Sequence, residues 1–72
     1  MLKHNQKISM CKAMEAYGGG FVSHLAECFY IADSDNQTRL EQAFPEYVEQ
    51  YLQLARTKKD YLGIDYDIDG GR

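Results

Sequence analysis

Tyr17-Gly18-Gly19-Gly20-Phe21-Val22-Ser23-His24-Leu25-Ala26-Glu27-Cys28-Phe29-Tyr30-Ile31-Ala32-Asp33 is the stretch whose reading decides the fold. Three glycines interrupt whatever precedes them, because consecutive glycines are costly inside a helix. The run that follows has helical periodicity: Phe21, Leu25, Cys28, Phe29 and Ala32 recur at spacings of four, three, one and three, and Val22 and Ala26 widen the stripe. A helix from Gly19 or Gly20 to Ala32 is expected, apolar over much of its circumference and therefore at the centre of the fold. Phe21 and Phe29 are expected to be structural.

Upstream, residues 5 to 17 are good helix formers with Met10, Met14 and Tyr17 on one face and Ile8 and Cys11 beside it. This helix is expected to stop at Gly18, entering the left-handed C-terminal conformation that glycine adopts without steric cost. Downstream, Asp33-Ser34-Asp35-Asn36 reads as a turn, and Ser34 with Gln37 has capping-box spacing, so a third helix begins near Asp35. Leu40, Ala43 and Phe44 give it a short apolar face. Pro45 disfavours helical geometry at Phe44 but suits the first turn of a fourth helix, 45 to 57, with Val48, Tyr51, Leu52 and Ala55 along its stripe. Phe44 and Leu52 are also expected to be structural.

The 72 residues make a single small domain with a thin core. The fold class is all-α: a bundle of three to four short helices, followed over about 58 to 72 by a partly irregular acidic tail. Tyr61, Leu62 and Ile64 are expected to dock locally and the last residues to be mobile. No apolar run approaches the length that spans a bilayer, and the two cysteines, without a secretion-signal pattern, read as reduced thiols in a cytoplasm.

The middle of the chain resembles a family of small phage- and prophage-encoded proteins. Tyr17-Gly18-Gly19-Gly20-Phe21-Val22, Leu25-Ala26, Ala32-Asp33, Asn36, Leu40, Ala43-Phe44-Pro45-Glu46-Tyr47 and Tyr51 follow its pattern YGGSFV…LA…AD..N…L..AFPEY…Y, with Gly20 in place of the serine. The resemblance covers Tyr17 to Tyr51. It implies a viral accessory protein in a bacterial host cell and brings no biochemical activity, cofactor or site residue with it.

Several groupings imitate functional sites, and each is incomplete. Cys11, His24 and Cys28, with His4 upstream, have zinc-ligating chemistry, but the close cysteine pair of a finger is missing and Cys11 belongs to a helical stripe. His24 beside Cys28 could activate a thiolate, yet no orienting third group or oxyanion donor accompanies them. Gly18-Gly19-Gly20 lacks the Gly-Lys-Ser/Thr of a phosphate loop. Asp65-x-Asp67-x-Asp69-Gly70 copies the first half of a calcium loop without the later bidentate glutamate. The expectation is therefore a non-enzyme with no metal and no cofactor.

Six tyrosines and three phenylalanines exceed what so small a core absorbs, and tyrosine at a surface supplies contact area with a polar handle. Tyr30, Tyr47, Tyr51 and Tyr66 are the candidate interface. Protein-protein interaction or self-association, with a homodimer as one form, is the expected function. The alternative is a nucleic-acid-associated regulator. Helices two and three, joined by a short turn, imitate a helix-turn-helix with Asn36, Gln37, Thr38, Arg39 and Gln42 on the second element, and Lys7, Lys12, Arg39, Arg56, Lys58 and Lys59 are the candidate contacts. A formal net charge of -3 weighs against that alternative, because affinity for phosphate backbones comes from clustered cations.

Overall fold

The computed structural model describes residues 1 to 70, so the last two positions of the expected tail lie outside the described residues. Four helices follow one another: α1 (His4–Tyr17), α2 (Gly20–Ile31), α3 (Ser34–Ala43) and α4 (Pro45–Thr57). No strand occurs among the described residues, and the fold is the all-α bundle expected.

The centre is α1 rather than α2. Ser9, Met10, Cys11, Ala13 and Met14 of α1 are completely buried, and α1 packs extensively against both α2 and α4, whereas α3 makes only a small contact with α4. The reason lies in side-chain size. Ser9, Cys11 and Ala13 are small enough for neighbouring backbones to approach, while Met10 and Met14 adapt to the gaps left between them. The Ser9 hydroxyl is satisfied by the Asn5 carbonyl at 2.7 Å, and its oxygen also lies 2.9 Å from the Tyr66 hydroxyl. A polar group therefore sits in the core without an unpaired atom.

α2 contributes one stripe to this core: Val22, Leu25, Ala26 and Phe29, at i, i+3, i+4 and i+7. Phe21 and Cys28, expected on the buried face, are exposed. The joint between α1 and α2 also differs from expectation. Gly18 has an extended backbone, φ -83° and ψ 161°, not a left-handed one. Its requirement is space, because a Cβ there would run into the Val22 side chain and the Met14 carbonyl. Gly19 and Gly20 face open space.

Asp33, not Ser34, caps α3: its carboxylate accepts from the Asn36 N–H at 2.8 Å, so the helix starts one residue before the expected Asp35. The first residues of the chain tie this helix down. The Leu2 N–H donates to Glu41 Oε1 at 2.9 Å, Gln37 Nε2 donates to Glu41 Oε2 at 3.0 Å, and the Met1 ammonium lies 3.7 Å from Glu41. Gln37 is the only buried residue of α3, so a polar clasp holds this helix where an apolar stripe would be usual. α4 begins at Pro45 as expected and buries Tyr51, Leu52 and Ala55.

Beyond Thr57 the chain is irregular, turning through Gly63 at φ +69°. Ile64 docks as expected, at 4% exposure, and Ile68, at 3%, joins it in the core, whereas Tyr61, also expected to dock, stands 83% exposed. Over Asp67 to Asp69 the backbone carbonyls accept from Asn5 and from the Lys3 ammonium, so the tail up to Asp69 is anchored on the start of α1.

The close contact at Gly18 sets an expected contrast. Gly18→Ala should lower stability by about 1–3 kcal/mol through overpacking against Val22. Gly20→Ala should be neutral or stabilising by up to about 1 kcal/mol, since it only restricts the unfolded chain. Urea denaturation of the two variants beside the parent protein measures both, and equal effects at the two sites would refute the packing account.

Candidate functional site

A buried stripe of four residues leaves a second apolar line on α2 without a place in the core. Helical geometry puts Phe21, Cys28 and Ala32 on that second line, turned about a quarter of a revolution from the buried one, with Ile31 at its edge. It faces α3, whose own apolar residues Leu40 and Ala43 face back. The two helices do not close on one another. Between them lies an open groove of about 470 Å³ lined by Cys28, Ile31, Ala32, Asn36, Arg39, Leu40 and Ala43.

At one end of the groove the Ala32-Asp33 turn joins α2 to α3. Outside its lining, the Phe21 ring meets Phe44 and Tyr47, each with centroids 5.9 Å away, and Tyr47 stacks on Tyr51 at 6.4 Å. Ile31, at 85% exposure, stands at the lip as the most exposed large aliphatic side chain. The floor is apolar and built from small side chains. Its polar groups are Asn36 and Arg39, which hydrogen-bond weakly to each other at 3.4 Å.

Of the residues singled out in the sequence, the structure brings Tyr47 and Tyr51 together in one aromatic cluster. Tyr51, 7% exposed, belongs to the core rather than to an open interface, and Tyr47 is half-buried against it. Tyr30 lies elsewhere, donating its hydroxyl to Glu15 at 3.0 Å. Burial first, and then that carboxylate, raise its pKa. Tyr66 is half-buried against Ser9.

The candidate cations sit on three elements, and several are engaged: Arg56 by Asp69, Lys12 over the Tyr66 ring and Lys58 over the Tyr61 ring. Lys7 lies on α1 and Lys59 in the turns after α4. Arg39 alone among them borders the groove. The groove residues Cys28, Ile31, Leu40 and Ala43 were not marked as a site by sequence reasoning. The available signal was the excess breadth of the α2 stripe, since one helix face cannot bury it all.

The thiols differ sharply. Cys11 is fully buried, its Sγ 3.7 Å from the Ala26 carbonyl, and burial, helped by Glu15, pushes its pKa up to about 12. Cys28 is exposed on the groove side of α2. His24 is also exposed, its Nδ1 2.6 Å from the Gly20 carbonyl one turn back in its own helix.

Asp67 and Asp69 of the calcium-like segment have protein partners. Asp69 accepts from Arg56 Nε at 3.0 Å and from Gln6 Nε2 at 3.0 Å, and these bonds together with the Arg56 and Lys3 charges lower its pKa to about 2. Asp67 Oδ1 accepts from the Asp69 N–H at 3.2 Å. Among the described residues no group of three or more histidine, cysteine or acidic side chains could hold a metal ion. No described helix is long and apolar enough to cross a membrane.

Two measurements follow from these environments. One thiol per folded chain should react with a thiol-disulfide reagent at neutral pH, and Cys28→Ser should remove that reaction until denaturant exposes Cys11. Asp69 has a depressed pKa, so its contribution is present above the ordinary carboxyl value of 3.8 and is lost as pH falls through about 2. The stability difference between the parent and Asp69→Asn should therefore be level near neutrality and vanish between about pH 4 and pH 2. Added salt should shrink it, because the Arg56 pair is solvent-exposed. Urea titrations across pH check this, and a difference that grows on acidification would contradict the assignment.

Comparison with family models, with curated proteins and with solved structures finds no match.

Proposed function

We propose that this chain acts by protein-protein contact, with the groove between α2 and α3 as its contact surface. The observation that carries this reading is that both helices turn apolar side chains into a space that nothing in the chain fills. Ile31 stands exposed beside it, and α3, whose one buried residue is the polar Gln37, leaves Leu40 half-buried and Ala43 exposed. Apolar surface left open in this way is favourable to cover, at roughly 25 cal/mol per Å² of area removed from water. A groove lined by Cys28, Ile31, Ala32, Leu40 and Ala43 and bordered by Arg39 and Asn36 has the layout of a contact site, with an apolar centre and a polar edge.

The occupant in this reading is a protein surface that presents aliphatic side chains, either a second copy of the chain or a different protein. The resemblance to small phage and prophage proteins supports an accessory role inside a bacterial host, where a compact gene product without catalytic machinery acts by binding. The tyrosines then serve mainly as packing: Tyr47 meets the Phe21 ring and stacks on Tyr51.

Ile31→Asp tests the reading. At 85% exposure the substitution should leave folding stability within about 0.5 kcal/mol. It should abolish the groove's contacts, because the aliphatic contact is lost and a carboxylate would have to shed its water against the apolar floor of Cys28, Ala32, Leu40 and Ala43. Tagged parent and variant are compared for proteins retained from nuclease-treated bacterial lysate and for molar mass in solution. A partner or a dimer present with the parent and lost with Ile31→Asp is the expected outcome. Retention identical in both would remove the groove from the account, and loss of every partner on nuclease treatment alone would replace it with nucleic-acid binding.

A further inference from the structure

We infer that the groove is filled by a second copy of this chain, in a two-fold symmetric pair in which the Ile31 ridge of each α2 enters the α2–α3 groove of the other. The inference rests on the reading of that groove as a contact surface and adds the identity of its occupant. A two-fold interface uses one patch twice, so the patch must contain both a protrusion and a matching hollow. This one does. Ile31 protrudes at the lip, and Cys28, Ala32, Leu40 and Ala43 form a hollow whose small side chains leave room for an aliphatic knob.

Charge supplies the independent argument. The ion pairs among the described residues are Met1 with Glu41 and Arg56 with Asp69, and neither Glu27 nor Arg39 takes part in them. Glu27 lies one helical turn before Ile31, on the same outward ridge of α2. Arg39 borders the groove that the ridge would enter, held only by a 3.4 Å hydrogen bond to Asn36. An occupant suited to this site needs an aliphatic side chain with a carboxylate beside it. The chain's own Glu27 and Ile31 are such a pair, at i and i+4. In the symmetric pair each Glu27 meets the other copy's Arg39, which gives two ion pairs at the rim around an apolar centre.

The molecule measures 30 × 28 × 19 Å. Its broad faces are therefore comparable with the roughly 800 Å² that each partner gives to a standard interface, and the groove occupies only part of one. A modest, concentration-dependent dimer is the corresponding expectation.

The test uses the full chain in sedimentation equilibrium from about 1 μM to 1 mM, spanning the affinities expected of a small interface. Measurements are made on the parent, Glu27→Arg, Arg39→Glu, the double exchange and Ile31→Asp. The parent should pass from 8.3 kDa to twice that mass with rising concentration. Each single charge reversal should weaken the dimer by about tenfold or more, since it places like charges opposite one another twice, and the double exchange should restore it to within about threefold. In parallel, the reaction rate of Cys28 should fall at concentrations that favour the dimer.

A parent that stays at 8.3 kDa throughout would overturn self-pairing. So would a dimer indifferent to Ile31→Asp, or one that the double exchange fails to restore. The groove reading fails separately: a monomeric parent whose nuclease-resistant partner is lost with Ile31→Asp keeps the contact surface and refutes only the second copy, whereas a monomeric parent whose partners ignore Ile31→Asp refutes both.

Discussion

Everything in this fold depends on how closely other segments can approach α1. Its buried face is built from Ser9, Cys11 and Ala13 with Met10 and Met14, so it has little bulk of its own and accepts α2, α4 and the C-terminal segment together. A helix lined with leucines would have pushed them outward. Small side chains forgo part of the area term, and the offset comes from packing density: dispersion contacts from several directions, and a hydroxyl satisfied within the core by Asn5 and Tyr66. Gly18 belongs to the same constraint, because a methyl group there would hold α2 away from α1 at the point where the chain turns from one to the other.

The groove is a consequence of that arrangement. With α1 as the shared support, α2 spends one stripe on it and has a second stripe left over, while α3 buries only Gln37 fully. The last turn of α2 and α3 are thus carried at the edge of the bundle, joined by the turn that the Asp33 cap closes. Glu41 and Gln37 on α3 help secure it, through the backbone of Leu2.

Much of this was legible in the chain. Pro45 and the Asp33 turn mark two helix boundaries directly, and the triple glycine marks a third; all four helices lie within a residue or two of where their capping and periodicity put them. What periodicity could not supply was rank. α2 is the more apolar helix and reads as the centre, whereas α1 takes that place through the size of its side chains, which a count of apolar positions does not register. Nor does the stripe on α2 say which of its two edges is covered: Phe21 and Cys28 on one side and Val22 and Ala26 on the other are equivalent in sequence and opposite in exposure. In the acidic tail the docking of Ile64 is expected and that of Ile68 is not. Ile68 stands between Asp67 and Asp69 in an acidic run, so only the open end of α1 reveals that it has somewhere to go.

The anchoring of that tail also bears on how the protein is made. Lys3, Asn5 and Gln6, at the first turn of α1, bond to groups 62 to 66 positions later in the chain. Synthesis is vectorial and slow beside helix formation. The helix that supports the others therefore emerges first and spends most of translation with its small-residue face uncovered. It acquires α2 early and α4 late, and the first turn is sealed only when the closing aspartates arrive. A nascent chain stopped short of them would carry an exposed seam along its central helix, and the cell's proteases and chaperones would meet that seam first.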